Sequence, residues 1–221
     1  MLSQAVEDYL KAIYQLQEEG EPVSTSDIAR SMDVSSASVT NMVKRLAQLG
    51  LLEHESYRGV KLTTTGEKVA LEIIRHHRLL ELYLREVMGY SWDKIHEEAE
   101  HLEHHISEEF EEKLDELLGY PTHDPHGDPI PTREGEIAEI TNDPLSGVEA
   151  GHSVVIQRVS DADPEMLAYL EEIGLLPGTE LTVVEKAPFH GPIKVQLQDG
   201  ERVVGHRIAC NIFVESDSLV S

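Results

Sequence analysis

The hydrophobic period of this chain changes once, and that switch limits its architecture more than any other feature. Up to Leu118, apolar residues recur at helical spacing; Val6, Leu10, Ile13 and Tyr14 form one such stripe. From Val148 the pattern becomes short β-rich runs at 154–159, 180–185, 193–197 and 212–215, interrupted by a helical stretch at 164–173. A turn-rich Pro/Gly segment at 119–129 and a polar stretch at 133–144 separate the two regimes. The expected fold is mainly α with a C-terminal β module. Three parts follow: residues 1–65, a helical region with its linker at 66–140, and a small barrel-like module at 148–221.

The first part reads as a winged helix-turn-helix. A helix at 2–19 ends at Gly20 and Pro22, and Ser24 or Thr25 caps a short helix at 26–32 with Asp27 in its first turn. After the Asp33-Val34 turn, Ser35 or Ser36 caps a second helix over 37–48, stopped by Gly50. Two short strands at 51–55 and 60–63 around Tyr57-Arg58-Gly59 make the wing. In the second helix Val39, Met42, Val43 and Leu46 have core spacing, which turns Ser36, Ala37, Ser38, Thr40, Asn41 and Lys44 outward. Short polar side chains near a helix N-terminus suit base edges and phosphates in a major groove, and Arg58 and Lys61 suit a flanking phosphate. The implied partner is double-stranded operator DNA. With so few basic residues a homodimer reading two half-sites is expected.

The net charge of −24 argues against a nucleic-acid partner until its distribution is considered. Residues 1–75 hold 8 Lys+Arg and 11 Asp+Glu, a net of −3, so −21 falls on the remainder. The single cysteine, Cys210, fits a reducing cytoplasm and reads as small core filler. No apolar run reaches the ~18 residues of a membrane span. The expected location is cytoplasmic, with no membrane partner.

Much of the acidity sits with histidine. Helices are predicted at 66–88, 92–105 and 107–118. On the middle one His96, Glu100, Glu103 and His104 fall at i, i+4, i+7 and i+8, within about 100° of one another. His77 and Glu81 repeat the i, i+4 spacing on the preceding helix, whereas His76, His101 and His105 point away as surface or interface residues. Imidazoles and carboxylates without sulfur suit Mn²⁺ or Fe²⁺. There is no H-E-x-x-H, nucleophile elbow or phosphate loop, so neither an enzyme nor a small-molecule substrate is expected.

These residues resemble the diphtheria toxin repressor family of metal-dependent regulators. The resemblance runs through Val6-Glu7-Asp8-Tyr9-Leu10, the winged helix, His77-Arg78-Leu79-Leu80-Glu81, Trp92 with His96 and Ala99, Glu103-His104-His105-Ile106-Ser107, the segment Pro121 to Pro131, and a terminal module like the family's SH3-like domain. It implies one regulatory metal site from Asp8, Glu100, Glu103 and His104, with His77 close by. It implies a second from His77, Glu81 and His96, joined by Asp124 and His126 of the turn-rich loop and by Asp163 of the terminal module. Carboxylates at Asp8 and Glu100 resemble the manganese-sensing branch, since they favour the harder ion. Lys11 departs from the pattern. The two-manganese form carries a glutamate there, and an ammonium cannot ligate a cation.

The expectation is a dimeric, Mn²⁺-dependent repressor of metal-uptake genes in which the cation locks the DNA-binding domains. An Fe²⁺-responsive regulator of the same family is the nearer alternative. A winged-helix regulator sensing an organic ligand is the more distant one.

Overall fold

A computed structural model describes residues 2–55, 59–140 and 142–216. Arg58, expected at the tip of the wing, lies outside them. The chain divides into two compact units: residues up to His77 with His101–Glu111 and Pro131–Ile137, and Arg78–Glu100 with Glu112–Ile130 and everything from Ala138 onward.

In the first unit α1 (Gln4–Glu19), α2 (Thr25–Ser31) and α3 (Ser36–Gln48) precede a two-stranded antiparallel ribbon, β1 (Leu52–Glu55) and β2 (Gly59–Leu62). Ser24 caps α2 by accepting from the Asp27 backbone N–H, and Ser35 caps α3 by accepting from that of Ser38. Each hydroxyl satisfies one N–H that the helix leaves orphaned, which decides between the neighbouring candidates. Val6, Leu10 and Ile13 pack with Val39, Val43, Leu46, Leu52, Val60 and Leu62 in one core. Val23 pairs in antiparallel bridge with Val60, so the chain passes beside the wing at Gly59. A Cβ at Gly59 would stand 2.6 Å from the Val23 carbonyl oxygen, and its φ of 119° is disfavoured for other residues.

The long helix α4 (Thr64–Glu86) follows, then α5 (Ile95–Leu102) and α6 (Glu108–Leu117). The helix expected at 92–105 is shorter at both ends. Residues 92–94 and 103–105 are turns, so Glu103 and His104 lie beyond α5, off the helical stripe of His96 and Glu100. His76, expected as a surface or interface residue, is buried.

In the second unit the β module is a five-stranded antiparallel sheet of order β6-β5-β4-β3-β7, formed by β3 (Ser153–Val159), β4 (Glu180–Lys186), β5 (Ile193–Leu197), β6 (Gly200–Val204) and β7 (Ile212–Ser216). The register pairs Val183 with Val195 and Val155 with Glu215. Inward residues Val154, Ile156, Val183, Val195 and Val214 form its core with Leu167 and Leu170 of α7 (Pro164–Ile173). The sequence reading missed β6 and the four-residue α8 (His206–Ala209). Cys210 follows α8 and is exposed, not core filler. A four-residue helix buries little, and its exit carries Cys210 to the surface.

The segment after α6 seats against β3. His126 accepts through its carbonyl from the Val159 backbone N–H at 2.9 Å. Gly127, at φ 90°, comes so near that a Cβ would lie 2.0 Å from the Gln157 carbonyl oxygen. Only glycine tolerates both conditions.

Candidate metal centres and DNA-facing surface

The first centre assembles in the first unit, around Glu103. Its carboxylate is 2 % exposed and accepts from Lys11 Nζ through both oxygens, at 3.0 and 2.8 Å. Glu103 Oε2 is 2.5 Å from His77 Nδ1, and Oε1 is 3.3 Å from His104 Nε2. The same His104 nitrogen is 2.8 Å from Asp8 Oδ1. Asp8, Glu103 and His104 therefore each present one donor atom within 4.8 Å of the others. Two carboxylates and an imidazole fit a hard-to-borderline divalent cation.

The supporting contacts fix this set. His104 Nδ1 is 2.8 Å from Glu7 Oε2, which holds the ring so that Nε2 faces Asp8 and Glu103. α1 thus supplies Glu7, Asp8 and Lys11 across little more than one turn. The backbone carbonyl of Glu103 is 3.2 Å from His76 Nδ1, and the other ring nitrogen of His76 is 3.5 Å from Glu111. Arg75 donates to Glu111 at 2.6 Å. The His76 hydrogen bond, opposed by burial and aided by Arg75, pulls the Glu111 carboxyl down to about 2.

Burial pushes the Asp8 carboxyl up; His104 draws it down and the like charge of Glu103 raises it further. Burial also pushes Glu103 upward, but the His77 hydrogen bond and the Lys11 ammonium outweigh it, leaving Glu103 below its ordinary value. Glu103 is therefore held ionised, ready to act as a ligand without losing a proton.

Glu100, expected beside Asp8, falls in the second unit, where it lies 3.6 Å from His96 Nε2. His96 Nδ1 is 3.2 Å from Glu81 Oε1, and Glu81 is 1 % exposed. His126, fully buried, brings Nε2 within 3.8 Å of the same oxygen and packs at 5.0 Å from the Trp92 ring. Two imidazoles thus converge on one buried carboxylate. His77 sits one turn before Glu81 on α4.

The other two expected ligands, Asp124 and Asp163, both accept backbone hydrogen bonds. Asp124 accepts through Oδ1 from the backbone N–H groups of His126 and Asp128, at 2.8 and 2.9 Å, shaping the turn that carries His126. Its carboxyl is pushed well up by burial and by the charges of Asp128 and Glu81, against the pull of Arg78. Asp163 caps α7 by accepting from the Met166 backbone N–H and lies 3.2 Å from Arg207. Sequence reasoning overlooked Glu7, Lys11 as a contact of Glu103, and the Arg78–Asp124–Asp128–Arg158 cluster. Only a known fold pairs such distant positions.

On α3, Ser36, Ala37, Ser38, Thr40, Asn41 and Lys44 are all exposed, whereas Val39, Val43 and Leu46 are buried. Thr40 donates its hydroxyl to the Ser36 carbonyl at 2.8 Å. Lys61 on the wing is exposed and paired with Glu21 at 2.6 Å.

With this geometry in hand, the chain matches the family model for the iron dependent repressor N-terminal DNA binding domain over residues 1–60. Residues 63–132 match the iron dependent repressor metal binding and dimerisation domain. The chain belongs to the iron-dependent repressor family. Residues 144–216 match the FeoA domain, which corresponds to the SH3-like sheet module. The iron-dependent repressor IdeR of Mycobacterium tuberculosis is 31% identical over 230 residues, covering 97% of this chain and 98% of the relative. Among solved structures, a manganese-dependent transcriptional repressor in complex with manganese aligns at TM-score 0.88 and 38% identity, covering 96% of this chain and 99% of that one. The manganese regulator SloR aligns at TM-score 0.75 and 37% identity, covering 96% and 98%. This iron-dependent repressor family member is accordingly a divalent-metal-dependent DNA-binding regulator, not an enzyme, with operator DNA and a second copy of itself as partners. No described helix is long and apolar enough to cross a membrane.

Proposed function

We propose that the activating cation is Mn²⁺ and that the chain is a cytoplasmic repressor of metal-uptake genes. The observation that carries this reading is the sulfur-free set of Asp8, Glu103 and His104, which joins the first helix of the winged domain to the turn after α5. Soft thiolates would select other ions, whereas carboxylates with one imidazole favour Mn²⁺. Two similar solved structures are a manganese-dependent transcriptional repressor in complex with manganese and the manganese regulator SloR.

Asp8, Glu103 and His104 would hold the ion at the first centre, with Glu100 of α5 as a further carboxylate candidate. Glu81, His96 and His126 form the core of a second group, with His77, Asp124 and Asp163 as outer candidates. A bound cation supplies positive charge that reverses the repulsion between the Asp8 and Glu103 carboxylates. Glu7 orients His104, and α1 then stays fixed to the turn after α5. A ~100-fold preference for the DNA-competent arrangement is worth roughly 2.7 kcal/mol. In that arrangement Ser36, Ala37, Ser38, Thr40, Asn41 and Lys44 would meet the major groove, with Lys61 and Arg58 at flanking phosphates. Exposed Val87, Met88, Leu117 and Tyr120 offer apolar surface for a second copy. The division into 1–65, 66–140 and 148–221 is the corresponding domain reading.

The test is fluorescence anisotropy of the gene's own upstream DNA at physiological salt, in chelator, in Mn²⁺ and in anaerobic Fe²⁺. Tight binding with Mn²⁺ alone supports the proposal. Equal activation by Fe²⁺ favours the iron-responsive reading. Binding indifferent to metal would overturn the sensor and leave an organic effector to be sought.

A further inference from the structure

Cys210 is the only cysteine in the chain, and the β module places it against an imidazole. It stands one helical turn after His206, at the end of α8, so the two side chains share a face. Cys210 Sγ is 3.5 Å from His206 Nδ1 and 3.4 Å from Ser146 Oγ. The other ring nitrogen of His206, Nε2, is 3.0 Å from His190 Nδ1, with the rings inclined at 74° and their centroids 4.5 Å apart. His190 comes from the turn between β4 and β5, where Phe189 and His190 hold φ values of 60° and 55°. Non-glycine residues seldom adopt that left-handed region, yet this turn delivers His190 to His206. His206 is half-buried, whereas Cys210 and His190 are exposed. None of the three belongs to the groups around Glu103 and Glu81.

We propose that His206 and Cys210 are the ligands of a thiophilic cation of the Zn²⁺ kind, with His190 as the group that orients His206. Zinc bonds of ~2.3 Å to sulfur and ~2.0–2.1 Å to nitrogen, at a tetrahedral angle, separate the two donors by about 3.6 Å. The 3.5 Å between Cys210 Sγ and His206 Nδ1 matches that separation. A ligating histidine characteristically gives its other N–H to an acceptor, which fixes the tautomer. His206 donates from Nε2 to His190 Nδ1, and that leaves the lone pair of its Nδ1 on the sulfur side. Binding replaces the thiol proton, which passes to solvent, by the metal–sulfur bond. Two side-chain donors leave coordination positions for water or for a group of another molecule, in keeping with the exposure of Cys210. A thiolate favours softer ions over Mn²⁺, so this site and the sulfur-free groups draw on different cations.

The sole cysteine makes the test specific, because any thiolate-to-metal charge-transfer absorption of the full-length protein has to come from Cys210. The protein is titrated anaerobically with Co²⁺, the spectroscopic substitute for Zn²⁺, and then with Zn²⁺ itself. The expected result is a near-ultraviolet charge-transfer band that grows with Co²⁺, disappears on addition of Zn²⁺ and is missing from Cys210→Ser. His206→Ala should lose the band as well, whereas His190→Ala should keep it with affinity weakened about 10–100-fold. Zn²⁺ should also slow alkylation of Cys210 about tenfold or more, and Mn²⁺ should leave that rate unchanged. Absence of the band at saturating Co²⁺ would overturn the proposal. So would a band that His206→Ala leaves at full strength, or protection of the thiol by Mn²⁺ as strong as by Zn²⁺. Unchanged affinity in His190→Ala would overturn its orienting role. Mn²⁺-dependent operator binding should be the same in Cys210→Ser, so failure of this site and failure of the manganese reading are separable.

Discussion

Glu103 meets Lys11, His77 and His104 at once, and burial, which would favour its neutral form, is outweighed by the contacts to His77 and Lys11. Replacing it by glutamine removes the charge and leaves the Lys11 ammonium buried without its carboxylate, so Glu103→Gln should abolish metal binding at the first centre and lower the melting temperature of metal-free protein. Glu7 acts one step further out, on the ring of His104. Glu7→Gln should weaken Mn²⁺ binding about 10–100-fold in a calorimetric titration while leaving the fold intact. Acidification should act through Asp8. Its carboxyl takes up a proton at higher pH than an ordinary aspartate, first because of burial. A cation has to displace that proton, so Mn²⁺ affinity should fall as pH drops through the raised value, before an unperturbed carboxylate would respond. An affinity constant between pH 7 and 5 in the Asp8-containing protein would refute this.

At the level of elements, α4 and α6 are joined by Arg75, His76 and Glu111. With the Glu111 carboxyl depressed to about 2, its contribution to stability is complete above the ordinary value of 4.5 and is lost as pH falls from there towards 2. The full shift corresponds to about 3 kcal/mol. Glu111→Gln should be less stable at pH 7 and should show a flatter pH dependence of urea unfolding across that window. The loop bearing His126 depends instead on shape. Gly127→Ala sets a methyl against the Gln157 carbonyl and strains a positive φ, which should cost on the order of 2 kcal/mol or more and displace His126 from Glu81. Loss of the second metal with retention of the first, counted by dialysis, is the expected signature. Element types were readable from periodicity and caps: Ser24 and Ser35 stand where capping chemistry places them. The end of α5 was not, because Glu103-His104-His105 continues the helical pattern in sequence, whereas in the structure these residues are turns and Glu103 and His104 contact α1.

For the whole molecule, the charge distribution sets the terms on which DNA can bind. The −24 total repels a polyanion, and the N-terminal third that meets it carries only −3, with Lys44 and Lys61 exposed. Metal-loaded protein should therefore bind its operator with a modest salt slope, and Lys44→Ala should weaken binding across sequences and reduce that slope by about one unit. A larger loss on one base sequence than on others would instead make Lys44 a base reader.

The sequence alone determined the α-then-β order, the winged helix with its outward polar face, and the chemical kind of the candidate metal ligands, because periodicity, capping and donor type are local properties. Tertiary structure decided their grouping. It gathered Asp8, Glu103 and His104 in one group and His96, His126 and Glu81 in another, gave Asp124 and Asp163 backbone hydrogen bonds, and set Lys11 and Glu7 against residues more than ninety positions away. Partners that distant are chosen by packing and by the cost of burying charge, and neither can be read from spacing along the chain.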